Sequence, residues 1–518
     1  MNRQSLCGWI VAFVVASASF VHAQRSSRGL DAGTANRSSR PNVVFIRTDD
    51  QTTTDLYVRT PTGVPVMRNV LQRLAARGTT FTNSFVTISL CCPSRAAFLT
   101  GQYAHNNHVF NNAPPMGGWA ALDAAHTLAV WMQAAGYDTV HIGKYLNGYG
   151  PAGAGGGGTG GGNGGGGGDG ETGPPSGPAS IAVPPGWTEW YTTFTAMYFG
   201  YSIDENGVLV HYGSSDRDYN TDVLTDKAVS FIERHASSTR PFFLVLDYQA
   251  PHNQPVLLPG SPSLPVPAPR HAGTMSRYRM HWPPSFNEAD ISDKPRWLQS
   301  HAQFDPADVD ALALFGQLRL ESLLAVDEGV GRVVDMLENT GKLADTVIIY
   351  TSDNGFQIGE HRLFGKNYPY EESMRVPLIV CAPGAIEGQV RREIVANIDY
   401  APTIVELAHA TPTIEMDGRS LLPLLSGATV AWRREILIED AGQVFTGLRG
   451  ESYMYTQYDY DHTGSIDDRE LYILSRMTPS SVVDSYELAN QQGNPMYAST
   501  VVRLQRLLEG LTHLHGTR

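Results

Sequence analysis

The sequence predicts an α/β fold: a large mixed, mostly parallel sheet sandwiched by helices, followed by a small C-terminal antiparallel-sheet subdomain. Three observations carry this expectation. Apolar, β-branched runs recur along the first 350 residues, and segments of helical periodicity lie between them. Beyond residue 430 short strand-like runs follow one another with no helix between. Alternation favours a parallel sheet, whose neighbouring strands need long crossovers, whereas consecutive strands favour hairpins.

Taken in order, Met1-Asn2-Arg3 and the apolar run from Leu6 to Val21, ending in Val21-His22-Ala23, read as a secretory signal peptide over residues 1–23. Residues 24–40, rich in Ser and Arg, read as a flexible leader. A catalytic domain is expected over 41–430, with buried strands at 42–47, 138–142, 242–247 and 346–350. Helices are expected at 64–77, 128–135, 221–235 and 312–340, the last as one long helix or a closely joined pair. Residues 151–180 are dominated by glycine and proline, cannot bury enough surface to offset their ordering entropy, and read as a disordered insertion. The proline-rich stretch 253–300, with Trp282 and Trp297, reads as an excursion lining a substrate entrance. A C-terminal subdomain over 431–518 is expected to hold strands at 436–438, 445–448 and 453–456 and a terminal helix at 499–514.

A chain of 518 residues with 42% hydrophobic content can bury a large core. Its net charge of −13 argues against nucleic acid and long polyanions as partners and favours small anionic substrates held in a local pocket. Cys7 falls in the signal, so Cys91, Cys92 and Cys381 remain, which is no disulfide framework. No later run is apolar enough for a stable membrane span after signal cleavage, and the product is expected to be secreted or periplasmic.

Ligands of parallel α/β sheets gather beyond the carboxyl ends of the strands. Each of the four expected strands is followed there by chemistry: Asp49-Asp50, Lys144, His252 and Asp353-Asn354. The two acidic pairs offer only oxygen, which suits a hard cation such as Ca²⁺, or Mg²⁺, and not Zn²⁺. Either pair alone would read as a turn or a helix cap.

The stretch Cys91-Cys92-Pro93-Ser94-Arg95, extended by Leu99-Thr100-Gly101, resembles the maturation signature of sulfatases. Family order is kept by Pro41 to Gln51, by Gly143-Lys144-Tyr145-Leu146-Asn147, by Ala250-Pro251-His252, by Tyr350 to Gly355 and by Arg375-Val376-Pro377. The likeness extends over residues 40–430 and is strongest to the N-acetylglucosamine-6-sulfatase and glucosamine endosulfatase branch, through the double cysteine, Lys144 to Asn147 and Gly101 to Val109. It implies that Cys91 is oxidised by a formylglycine-generating enzyme to formylglycine (3-oxoalanine), whose hydrate attacks the sulfur of a sulfate ester. It also implies that Asp49, Asp50, Asp353 and Asn354, with modified Cys91, hold Ca²⁺, that Arg95 positions the nucleophile, that Lys144 and Lys366 bind sulfate, and that His252 protonates the leaving oxygen.

Some positions depart from the family pattern. Leu146 stands where many sulfatases have histidine, which leaves the base of the elimination step open among Asn147, His105 and His108 or elsewhere. Gln357 replaces a frequent histidine, and His361 has no clear counterpart. Asp459, Asp461, Thr463, Gly464, Asp467 and Glu470 also match the spacing of an EF-hand calcium loop, although their flanks read as strands, which favours a polar turn. The expected activity is hydrolysis of a small sulfate monoester, on a sulfated sugar or an aryl sulfate. The alternatives are a phosphate or phosphonate ester hydrolase of the same superfamily and an inactive sulfate-ester-binding protein.

Overall fold

A computed structural model describes residues 40–150, 182–255, 263–477 and 483–515. The expected signal peptide, leader and glycine-rich insertion lie outside the described residues.

The main sheet has ten strands. They are β1 (Asn42–Thr48), β2 (Thr79–Phe81), β3 (Asp138–Lys144), β4 (Glu189–Thr193), β5 (Ser202–Glu205), β6 (Val208–His211), β7 (Phe242–Asp247), β8 (Thr346–Ser352), β9 (Leu378–Cys381) and β10 (Gln389–Arg391). Their order across the sheet is β10-β2-β9-β8-β1-β7-β3-β4-β5-β6. The centre, β8-β1-β7-β3-β4, is parallel throughout, and antiparallel pairs appear toward both edges. All four strands expected from the sequence are thus immediate neighbours, and their carboxyl ends share one rim.

Both faces of the sheet are buried, which is why its strands read as unbroken apolar runs. On β1, Val44 and Ile46 face one core and Val43 and Phe45 the other. The first core is covered by helices Asn220–Arg234 and Pro306–Asn339 through Leu224, Phe231, Val330 and Val333. The second is covered by helices Cys91–Thr100, Leu128–Ala134 and Tyr400–Ala408 through Phe98, Trp131 and Ile404.

The expected helix over 64–77 is shorter and differently wound. Regular helical backbone begins only near Arg68, and Val70–Ala75 is a π-helix. Pro65 instead pairs with Arg59 in a β-bridge, and the Asp327 carboxylate accepts from the backbone N–H groups of Asn69 (2.9 Å) and Val70 (3.0 Å), fixing the helix start from outside. The long helix is single and begins at Pro306, ahead of its apolar periodicity. Asp305 caps it by accepting from the N–H groups of Ala307 and Asp308, at 2.7 and 2.9 Å.

Four antiparallel strands, Glu435–Glu439, Phe445–Gly450, Tyr453–Tyr458 and Asp468–Ile473, form the C-terminal sheet. The terminal helix Ala498–His515 packs Val501, Leu504 and Leu508 against Leu448, Tyr455 and Leu471 of that sheet. From Arg40 onward the described residues belong to one compact unit. Among them no helix is long and apolar enough to cross a membrane.

Candidate active site

Parallel strands in register deliver the site. Thr48 lies opposite Ser352 and Arg47 opposite Asp247, so the chain leaves β1 and β8 at the same level. Asp49 and Asp50 follow β1, and Asp353 and Asn354 follow β8. Asp50 adopts φ +70°, an unusual conformation for a side-chain-bearing residue, and all four are buried. On β3, Gly143 (φ +109°) lies so near Asp247 that a Cβ there would fall 1.8 Å from the Asp247 carbonyl oxygen. Glycine therefore permits the approach that brings Lys144 to the rim.

Cys91 is the first residue of its helix, preceded by an extended Leu90, and Asn112 Oδ1 accepts from the Cys92 N–H at 2.9 Å. The Cys91 Sγ is fully buried and lies 3.6 Å from Asp49 Oδ1, 3.6 Å from Lys144 Nζ and 2.9 Å from Lys366 Nζ. Lys144 also pairs with Asp49 at 2.9 Å and Lys366 with Asp50 at 2.8 Å. His252 Nε2 is 3.7 Å from Asp50 Oδ2, and the other ring nitrogen lies 2.5 Å from the Asn253 carbonyl oxygen. One helical turn beyond Cys91, the buried Arg95 bridges Asp49 (3.1 Å), Asp353 (2.8 Å) and Asp247 (3.4 Å), and donates to the Lys144 carbonyl at 2.6 Å. Every site residue expected from the sequence converges here: Asp49, Asp50, Cys91, Arg95, Lys144, His252, Asp353, Asn354 and Lys366.

Burial alone would raise the Asp49 carboxyl, but the charges of Lys144, His252, Arg95 and Lys366 hold it well below the usual carboxylate range. Asp353 goes the other way, raised by burial and then by the negative charge of Asp49. Burial, and then Asp49, push the Cys91 thiol up, so an unmodified Cys91 is a poor thiolate nucleophile at neutral pH. Burial and the Lys366 cation oppose protonation of His252, yet Asp49 and Asp50 hold it well above the ordinary imidazole value.

The donor set fits a hard cation. Asp50 Oδ2 and Asn354 Oδ1 are buried and make no hydrogen bond, and Asp49, Asp50, Cys91 and His252 present ligand atoms within 4.8 Å of one another. Buried oxygens left in this way are costly unless something binds them. Carboxylate and amide oxygens dominate, as alkaline-earth ions require.

The Sulfatase family model matches residues 41–410, and a model described as the C-terminal region of N-sulphoglucosamine sulphohydrolase matches residues 359–513. The chain belongs to the sulfatase family. Human N-acetylglucosamine-6-sulfatase is 33% identical over 425 residues, covering 79% of this chain and 69% of its own. An extracellular sulfatase SULF-1 homologue of Drosophila melanogaster is 32% identical over 432 residues, covering 81% of this chain and 34% of its own. This sulfatase spans between about a third and about half of the length of the extracellular relatives it matches first. A solved structure in complex with its substrate D-glucosamine-2-N,6-O-disulfate superposes with a TM-score of 0.69 at 25% identity, covering 92% of this chain and 98% of that one.

Behind the Cys91 cluster lies a supporting layer, in which Asp247, Arg47, His141 and Arg319 add to the residues expected from the sequence. Asp247, at the end of β7, receives Arg47 at 2.9 and 2.5 Å and Arg95 at 3.4 Å, and its Oδ2 lies 3.2 Å from His141 Nε2. The signal was available, since Asp247 ends a buried strand just as Asp49 follows one. Arg319 donates to the Asp50 carbonyl at 2.6 Å and pairs with Asp55 at 3.2 Å. Leu146 is buried in the second core, and His105 lies 2.7 Å from Glu439. The excursion after His252 packs on the loop leading to Lys366: Phe286 forms a bridge with Glu360, and Trp297 stacks on Tyr368 at 5.7 Å.

The EF-hand-like run forms a hairpin turn, in which Asp459, Asp461 and Asp467 bring ligand atoms within 4.8 Å of one another. Asp459 accepts from the N–H groups of Thr463 (3.0 Å) and Gly464 (2.7 Å), and strands flank the run on both sides. Glu470, which would close such a loop, is buried beneath the hydroxyls of Tyr370 (2.9 Å), Tyr458 (2.5 Å) and Tyr472.

Proposed function

We propose that this protein is an exported, secreted or periplasmic, sulfatase that hydrolyses a 6-O-sulfate monoester on a small amino sugar. The observation that carries the reading is the buried Cys91, held at a helix N-terminus between Lys144 and Lys366 with Asp49 alongside. Two ammonium groups around one nucleophilic position make a receptor for a tetrahedral anion.

In this reading Asp49, Asp50, Asp353 and Asn354 would hold Ca²⁺, which supplies acidification of a hydroxyl and neutralisation of sulfate charge. Cys91, converted by a formylglycine-generating enzyme to formylglycine, provides that hydroxyl in place of its unreactive thiol. Lys144 and Lys366 bind the sulfate oxygens and stabilise the charge that develops on them. Arg95 holds Asp49 and Asp353 in place and thereby fixes the floor of the site. His252, which lies 3.7 Å from Asp50, gives its proton to the departing sugar oxygen. Leu146 offers no proton transfer, so the neutral His252 then removes a proton when the sulfated hydrate collapses and releases sulfate.

The amino-sugar assignment rests on similarity to human N-acetylglucosamine-6-sulfatase and on the fold shared with the D-glucosamine-2-N,6-O-disulfate complex. The test is steady-state turnover of N-acetylglucosamine-6-sulfate, an aryl sulfate, an aryl phosphate and a phosphonate monoester, with peptide mass spectrometry across Cys91. Sulfate turnover by protein carrying the aldehyde at Cys91 supports the reading. Preference for the phosphorus esters would make the protein a phosphate or phosphonate ester hydrolase, and binding of sulfated sugar without turnover would make it a binding protein.

A further inference from the structure

A second set of ligand atoms converges outside the Cys91 cluster. One ring nitrogen of His361 and one carboxylate oxygen each from Glu372 and Glu487 lie within 4.8 Å of one another. His361 Nε2, Glu372 Oε2 and Glu487 Oε1 are all buried atoms that make no hydrogen bond. His361 is 0% and Glu487 1% exposed.

The imidazole is built to present that nitrogen. Its Nδ1 lies 2.7 Å from Glu288 Oε2, Lys294 pairs with Glu288 at 3.2 Å, and the ring stacks on Tyr370 at 4.4 Å. The His361 N–H donates to the Ser285 carbonyl at 2.7 Å. A carboxylate on Nδ1 selects the tautomer whose Nε2 lone pair is free to bind, the usual arrangement around a metal-bound histidine. On the opposite side Glu487 Oε2 accepts from the Glu371 N–H at 3.1 Å, which leaves Oε1 to face the cluster.

We propose that His361, Glu372 and Glu487 form a second metal site, for a divalent transition ion of the zinc class. One imidazole and two carboxylates match three-ligand zinc coordination, whereas an alkaline-earth ion would favour an all-oxygen set. Such an ion would join distant segments. His361 lies just before Lys366 in the chain, Glu372 precedes Ser373, whose carbonyl accepts from the Gly355 N–H at 2.9 Å beside Asn354, and Glu487 belongs to the C-terminal region. The ion would therefore tie the C-terminal region to both loops that serve the active site.

The competing way to satisfy these three atoms is a shared proton, and metal content separates the two. Full-length protein is saturated with Ca²⁺, equilibrated with Zn²⁺, washed, and measured by plasma mass spectrometry and by anomalous diffraction at the zinc edge. The expected result is about one equivalent of tightly held zinc in the unmodified protein and in Asp50→Asn, lost in Glu487→Gln and His361→Gln, with an anomalous peak between His361 and Glu487. Failure to retain zinc, retention in Glu487→Gln with loss in Asp50→Asn, or a peak confined to the Asp49–Asp50 cluster would overturn the proposal. If both glutamine variants fail to fold, the anomalous map of the unmodified protein decides alone.

Discussion

The rim at the end of the main sheet and the hairpin turn at 459–467 each gather three aspartates, yet they differ in how the chain supplies them and in what surrounds their oxygens. At the rim, Asp49 and Asp50 follow one strand and Asp353 another, all three are buried, and Asp50 Oδ2 and the neighbouring Asn354 Oδ1 make no hydrogen bond. In the hairpin, Asp459, Asp461 and Asp467 are consumed locally: Asp461 accepts from the Thr463 hydroxyl at 2.9 Å, and Asp467 accepts from the Tyr460 N–H at 3.0 Å and pairs with Arg296 at 2.9 Å. Aspartates of an exposed turn are satisfied within it and by water, whereas aspartates delivered by a rigid sheet to a buried rim face polar atoms that only a ligand can satisfy.

If that distinction is sound, substitutions at the rim have large effects and those in the hairpin small ones. Replacing Cys91 with alanine removes the nucleophile, and kcat is expected to fall by about 10⁶-fold, the scale of nucleophile loss in hydrolases that act through a covalent intermediate. Sulfate-release assays would check it, and an alanine variant with near-native kcat would end the proposed mechanism. His252→Ala should cost about 10²- to 10⁴-fold. That loss should be larger for a sugar sulfate than for an aryl sulfate whose phenolate leaves without help, and equal losses on both would confine His252 to the elimination step that the two substrates share. Lys144→Ala and Lys366→Ala should each lower kcat by about 10²- to 10³-fold, the range for one donor aimed at developing charge.

Between these extremes stands Glu470, buried but without ligand chemistry. Glu470→Gln keeps the shape and replaces one acceptor oxygen with a donor facing tyrosine hydroxyls. A destabilisation of about 1–3 kcal/mol is expected, read as a lower midpoint in urea, with kcat unchanged in the folded protein. A drop in kcat at native stability would show that the tyrosine cluster reaches the active site.

The sequence made the rim legible because the signals coincided. Each buried parallel strand reads as an apolar run, and the residue types just past Thr48, Ile142, Asp247 and Ser352 were all of one chemical purpose. Asp247 is less legible although it ends a buried strand, because its role depends on Arg47, Arg95 and His141 meeting it from other segments. No local pattern encodes that meeting. The helix expected over 64–77 failed for a related reason, since its start is set by Asp327, more than two hundred residues away in the chain. The His361, Glu372 and Glu487 cluster joins segments that carry no shared spacing, so only the folded chain brings its three unbonded atoms together.

The smallest expected effect tests the comparison from its other end. Asp461 is exposed, and its visible task is to accept one hydroxyl bond within the turn. Asp461→Asn keeps an acceptor there, so stability should change by no more than about 0.5 kcal/mol, and kcat should stay at the unmodified level. Calcium supplies the sharper measurement. If the hairpin is only a turn, calorimetric titration of metal-stripped protein gives the same calcium stoichiometry for Asp461→Asn as for the unmodified chain, while Asp50→Asn loses calcium binding. Should Asp461→Asn instead lose one calcium, acceptors used within a turn would still be available to an ion. Hydrogen bonding inside an acidic cluster would then no longer separate a structural turn from a metal site.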